Sequence, residues 1–269
     1  MADFAGRTVL AIFAHPDDES LACGGTLARL ADAGARIVLI CASRGESGSI
    51  SDPTLVRDAD LGVVRTRELL DAAAVLGVAE VIVFSHPDGE LRWDDVAEFQ
   101  GEIVAALVRY RPDAVITFAE DGLYWHLDHI GVHERTYTAV KSLGAAAPPL
   151  YYVTMPKGVM RSLFEAAHTR GGAPANSSFW GIEPDAFGDA AIPPTIAIDV
   201  RDWVPRKLEA LRRHRTQMGP GNPIAWIHED DARRWLGTEY FRRSPLESSA
   251  ADSMLDQLGE AVNSLRTEV

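Results

Sequence analysis

The chain is poor in cysteine: only Cys23 and Cys41 occur in 269 residues, both in apolar stretches and without a C-x-x-C spacing. That scarcity argues against a disulfide-stapled scaffold, a redox dithiol and a thiolate-rich metal site, and it fits a reducing, cytoplasmic setting. Basic residues are scarce too, 26 Lys and Arg against 39 Asp and Glu, for a formal charge of −13. Binding to a phosphate backbone needs clustered positive charge, so no nucleic-acid partner is expected. The basic run over 206–215 is the local exception and reads as the solvated face of a helix. No apolar run approaches the roughly 20 residues that span a bilayer, and the N-terminal MADFAGRTVLAIFAHPDDE passes quickly into polar residues. Neither a signal peptide nor a membrane span is expected. Internal repeats at solenoid periods and low-complexity segments are also missing. The first strand is not followed by G-x-G-x-x-G, and Gly24-Gly25 come too late for a phosphate turn, which argues against nicotinamide binding. Ser47 in GESGS lacks the glycine spacing of a nucleophile elbow, so a serine hydrolase is discounted as well.

What is present is a repeating rhythm. With 46% apolar residues, the chain can close one large core, and residues 1–269 read as a single domain. Apolar runs at 8–14, 36–42, 81–85 and 113–119 alternate with helical patterns over 20–34, 55–76 and 95–110, and a further helix is expected near 129–143. The runs are apolar almost throughout, as in strands covered on both faces. Strand-helix units in succession imply an α/β, Rossmann-like, doubly wound and mostly parallel sheet with helices on both faces. LYYVTM (150–155) and TIAIDV (195–200) extend the strand set, with a helix over about 202–216. From residue 156 the rhythm weakens; GGAPANSS (171–178) reads as a loop or lid. Residues 156–269 are therefore expected to form a C-terminal extension that shapes the pocket rim, and 1–155 the half that carries the chemistry.

In such sheets ligands sit beyond the carboxyl ends of the strands. Four loops rich in His, Asp, Glu and Gly follow the four early strands: HPDDE (15–19), SRGESGS (43–49), SHPDGEL (85–91) and EDGLYWHLDH (120–129). The first offers His15, Asp17 and Asp18; the last offers His126 and His129, with His133 one turn further on. A catalytic zinc site needs about three nitrogen or oxygen ligands and one open position, and two histidines with a carboxylate supply that set; ferrous iron suits it equally. Taken singly, Asp17 or Asp18 reads as a helix N-cap.

The stretch AHPDDESLACGGTLARL, together with HLDH, resembles the LmbE-like (PIG-L) zinc-dependent N-deacetylases, over roughly residues 7–145. The resemblance implies hydrolysis of an amide, with N-deacetylation of an N-acetylglucosamine-type sugar or glycoconjugate as the leading reaction. It implies metal ligation by His15, Asp18 and His129, a general base at Asp17, and transition-state stabilisation or amine protonation by His126. It also implies substrate contacts from Arg65 and Asp88 and an oxyanion donor in Tyr124. Leu127 stands where family members often carry Pro.

The chemistry suits these residue types. An amide needs an activated water and a neutralised oxyanion; a divalent metal supplies both, and an unligated neighbouring carboxylate such as Asp17 takes the water's proton. Asp128 either orients a histidine, which would make His126 more basic, or caps the following helix. For Arg65 the plainer reading is a surface ion pair with Glu68, and for Tyr124 a packed aromatic. His86-Pro87-Asp88 lacks the second Asp of the first motif and reads as loop. An amidase acting on a thiol conjugate or other non-sugar amide would use the same metal site; a catalytically silent binding protein would keep only the fold. The expected partner is a small-molecule amide. Oligomeric state stays open, since the apolar C-terminal helix pattern LDQLGEAVNSL can pack on a neighbouring copy or on its own domain.

Overall fold

The computed structural model describes residues 3–57, 59–188, 192–247 and 254–262. The first half alternates β1 (Thr8–Phe13), α1 (Asp18–Asp32), β2 (Arg36–Cys41), α2 (Leu61–Leu76), β3 (Glu80–Val83), α3 (Val96–Tyr110) and β4 (Ala114–Phe118). An irregular turn α4 (Gly122–Trp125) leads into α5 (Leu127–Ser142) and β5 (Leu150–Thr154). Beyond these lie α6 (Val159–Ala166), β6 (Ile196–Asp199), α7 (Val204–Arg213), α8 (Glu229–Trp235), β7 (Thr238–Arg243), α9 (Met254–Leu258) and β8 (Glu260–Ala261). No helix among the described residues is long and apolar enough to cross a membrane.

The described strands form one sheet in the order β3-β2-β1-β4-β5-β7-β6-β8. β1 pairs in parallel with β2 and β4, and β5 continues the parallel set beside β4. Every residue of β4 and all but the first of β1 and β2 are buried, which explains why these strands read as continuous apolar runs. Right-handed crossovers leaving β1 in one direction and returning past it in the other put α1 and α2 on one face and α3 and α5 on the opposite one. The chain reverses direction across the sheet between β1 and β4, and ligands of such folds collect at that point.

The expected helix over 55–76 is two elements: a short 3-10 turn at Pro53–Val56, and α2, which starts where Asp60 accepts a hydrogen bond from the Val63 backbone. The C-terminal pattern LDQLGEAVNSL is not one helix: α9 ends at Leu258, Glu260–Ala261 pairs with β6, and 263–269 lie outside the described residues.

β7 was not legible as a strand. Its sequence TEYFRR buries Glu239 and Arg242 among its apolar positions, and both are held by charge. Arg242 pairs with Glu120. Glu239 meets Lys207 of α7 at 2.5 Å in a fully enclosed ion pair. That pair repairs a break in α1, where Cys23 leaves the helical conformation with φ −149° and ψ 22°. Glu239 accepts from the backbone of Gly25 at 2.9 Å and Thr26 at 2.7 Å, and Lys207 donates to the Leu21 carbonyl at 2.8 Å. These three opened backbone groups thus find charged partners, which helps the two charges to stay buried. Gly25 is required by contact: a Cβ there would stand 2.7 Å from the Val200 side chain.

Candidate metal centre and cleft

β1 ends at Phe13 and the chain turns sharply before α1. The turn holds Asp17 at φ +124°, a region that side chains with a Cβ seldom enter. Asp17 occupies the N-cap position, yet its carboxylate makes no capping hydrogen bond. It faces the Arg65 guanidinium at 3.3 Å instead. Asp18 is inside the helix and turns back, one oxygen accepting from the His15 backbone N–H at 2.8 Å. Neither residue is an ordinary cap. From the other side of the switch point, His126 caps α5, its Nδ1 accepting from the Asp128 backbone, so His129 falls in the first turn and points at Asp18.

Three groups converge. His129 Nε2 lies 3.2 Å from Asp18 Oδ1, His15 Nδ1 lies 3.4 Å from Asp18 Oδ2, and the two ring nitrogens are 3.3 Å apart. The opposite edge of each ring fixes its tautomer. His129 Nδ1 sits 3.0 Å from the Gly122 carbonyl, which can only accept, so Nδ1 carries the proton. His15 Nε2 stands 3.0 Å from both Asp128 and Asp88 and donates to them. In the neutral rings the nitrogens that face each other both present lone pairs, an arrangement that favours an electrophile between them, a metal ion or, in the metal-free chain, a proton on His15. Ligands about 2.0–2.1 Å from a tetrahedral metal ion lie roughly 3.3–3.4 Å from one another; the two imidazole nitrogens meet that spacing, and Asp18 approaches each of them through a different carboxylate oxygen. The nitrogens of His15, His126 and His129 also lie within 4.8 Å of one another, as do the ligand atoms of His15, Asp88 and Asp128.

The electrostatics agree. Burial works against a charged His15, but hydrogen bonds to Asp128, Asp18 and Asp88 outweigh it and hold the imidazolium well above its ordinary range. Burial likewise opposes ionisation of Asp18, and the His129 and His15 contacts outweigh it, holding the carboxyl well below its usual range. The site favours positive charge. Asp17 differs: burial raises it to about 6, Arg65 opposing and the Asp18 charge assisting.

The Asp128 carboxylate serves His15, not His126, and also accepts from the backbone of Gly89 at 2.7 Å and Leu91 at 3.0 Å. The expectation of a more basic His126 is corrected accordingly. Burial and the neighbouring His129 and His15 lower it to about 4. Because Nδ1 accepts a backbone N–H, the neutral ring carries its proton on Nε2.

Arg65 is buried and does not pair with Glu68, which corrects the surface ion-pair reading. Its guanidinium donates to the Pro16 and Gly45 carbonyls at 2.7 and 2.9 Å, while Glu68 holds Thr216. Asp88 accepts from the Ser47 backbone at 2.9 Å with the oxygen that does not face His15. Tyr124 packs edge-on to His126 and His129 and against Phe187, and burial raises its phenol well above the usual range. Its neighbours Leu123 and Trp125 sit at φ +67° and +65°, so this loop carries strain. His133 stays off the site, bonded to the Phe118 carbonyl, and His86 lies between Asp94 and Glu102.

A cleft of about 470 Å³ opens over the trio, lined by His15, Asp17, Asp18, Arg65, Asp88, Tyr124 and His126. The segment beyond 156 adds Trp180, Ile182 and Gln217 to its wall. The sequence pointed to none of these three, nor to a buried pair between Glu19 and His214 at 3.0 Å. Glu19 was visible in HPDDE; His214 was a lone histidine at the end of a basic helix, with no spacing to mark it.

The chain is similar to known proteins in sequence and in fold. The family model described as PIG-L, GlcNAc-PI de-N-acetylase, matches residues 10–140. A 1D-myo-inositol 2-acetamido-2-deoxy-alpha-D-glucopyranoside deacetylase of Thermobispora bispora is 32% identical over 270 residues, covering 88% of each chain. Among solved structures, a conserved protein of Thermus thermophilus aligns with a TM-score of 0.59 at 25% identity, over 92% of this chain and 96% of that one. The 4-carboxy-2-hydroxymuconate hydratase of Pseudomonas putida aligns at 0.61 and 18% identity, over 88% and 95%, a likeness of fold alone.

Proposed function

The chain belongs to the PIG-L family, and from that premise we propose that it hydrolyses the N-acetyl amide of a glucosamine-type sugar derivative in a metal-dependent reaction. The observation that carries the proposal is the meeting of the His15 and His129 ring nitrogens with the Asp18 carboxylate, each within 3.4 Å of the next, beneath the cleft. His15, Asp18 and His129 would hold the cation, zinc by its affinity for this donor set, with ferrous iron suited by the same chemistry. When bound, such an ion supplies Lewis acidity and makes water acidic near neutral pH.

The remaining steps belong to the protein. Asp17, on the cleft wall and not among the converging ligands, takes the proton of the attacking water. His126, neutral and protonated on Nε2, donates a hydrogen bond to the developing oxyanion, Tyr124 flanks the same space, and the proton held by Asp17 passes to the nitrogen of the leaving amine as the C–N bond breaks. Arg65 holds Asp17, and Asp88 and Asp128 hold the His15 tautomer, as partners behind metal ligands do. Each Asp88 oxygen keeps a lone pair, so Asp88 can still accept from a sugar hydroxyl, and Arg65 shares its wall. Cys23 and Cys41, both buried and free, favour a reducing, cytoplasmic setting.

The test is amine release from a panel of N-acetylglucosaminides, including an inositol-linked one, beside N-acyl thiol conjugates. Release from the sugars is expected. Release from the non-sugar amides alone would transfer the assignment to an amidase with this metal site, and silence across the panel would leave a binding protein.

A further inference from the structure

We propose that Glu19 and His214 form a buried positioning pair that holds Asp17 in its working conformation and ties the C-terminal half of the chain to the first motif. The inference rests on Asp17 being the general base.

Asp17 is held from several directions. Its carboxylate meets Arg65, and the carbonyl of the preceding Pro16 accepts from the same guanidinium. Its backbone N–H donates to Glu19 Oε2 at 3.1 Å. A residue at φ +124° returns to a relaxed conformation unless its surroundings over-determine it. Glu19 is the acceptor that fixes the N–H, and it in turn is fixed. Its Oε1 accepts from Ser20 Oγ at 2.5 Å and from His214 Nε2 at 3.0 Å, and both members of the pair are enclosed.

His214 closes α7, which packs on α1 and α2. Among the described residues its contacts run through Nε2, chiefly to Glu19, with Ser20 Oγ at the limit of reach. The ring is held by a carboxylate acceptor, and that same carboxylate reaches the Asp17 backbone. The usual helix-start arrangement would have the N-cap side chain bond the first turn; here the cap carboxylate is left free for the cleft, and Glu19 takes over the reciprocal half of the contact.

A double-mutant cycle on the metal-loaded enzyme separates positioning from simple support. Glu19→Ala is expected to lower kcat by about 10–100-fold, the range seen when partners behind an active group are removed, with KM and metal content unchanged. Glu19→Gln keeps the shape and an oxygen for the Asp17 N–H and is expected to lose less. In an Asp17→Asn background, which retains the backbone N–H, Glu19→Ala should lose little more, because both changes disable the same group. His214→Phe keeps the ring's bulk and removes the donor; it should lower kcat by several-fold and show the same non-additivity. It also carries the test should Glu19→Ala fail to fold. Losses that multiply in both backgrounds, or metal content that falls in step with activity, would overturn the pair. Full turnover in Asp17→Asn alone would remove the base itself, and the positioning role with it.

Discussion

Asp17→Asn is expected to keep one metal ion per chain and to lose about 10²–10⁴-fold in kcat, the usual contribution of a positioned general base. The substitution is nearly isosteric and spares the backbone N–H on which Glu19 acts. Metal retention follows from geometry: the converging atoms belong to His15, Asp18 and His129, while the Asp17 carboxylate turns aside to Arg65. The charge state favours the role. Burial raises Asp17 to about 6 in the metal-free chain, Arg65 opposing it, and a divalent cation nearby can only lower that value. The working form is the carboxylate, so activity is present above the Asp17 pKa and lost as the pH falls through it. The acid limb of the wild-type profile should therefore lie at or below about pH 6 and disappear from the residual activity of Asp17→Asn. Elemental analysis beside steady-state kinetics checks both halves. Unchanged turnover would assign the base elsewhere.

His129→Ala is expected to lose metal and activity together, and Asp18→Ala likewise. Metal affinity should fall by more than the roughly 10–100-fold that follows loss of a partner behind the ligands, because one of the three proposed ligands is removed outright. The ring is fully buried and stacked on Phe118 at 4.0 Å, so the alanine also opens a cavity. His129→Gln fills much of that space without an imidazole and separates the two causes. Equal loss of metal in both variants assigns the effect to ligation. Folded His129→Gln protein with full metal content would exclude His129 from the ligand set.

Much of this site was legible because its chemistry is local. HPDDE and HLDH each place several functional groups within five residues, directly after strands whose apolar runs announce burial on both faces. The topology needed only the strand-helix rhythm. What was hidden depends on long-range partners. Asp128 could be matched to a histidine, but nothing in HLDH says that its partner is His15, 113 residues away. Arg65 and Glu68 look like an i,i+3 pair and instead part company, one to the cleft and one to Thr216. β7 was obscured because Glu239 and Arg242 break an apolar pattern, and only Lys207 and Glu120 make their burial tolerable. Gln217 lines the cleft and His214 backs Glu19 from a segment with no motif, so their place follows from the packing of α7 on α1 and α2.

Amide hydrolysis is proposed to depend on a cation held by His15, Asp18 and His129. The direct measurement is amine release from an N-acetylglucosaminide by enzyme stripped with a chelator, dialysed, and titrated with zinc or ferrous ion while bound metal is counted. Activity should vanish on stripping and return in proportion to occupancy, reaching its full value at one ion per chain. Undiminished amine release from chain shown to hold no metal would contradict it.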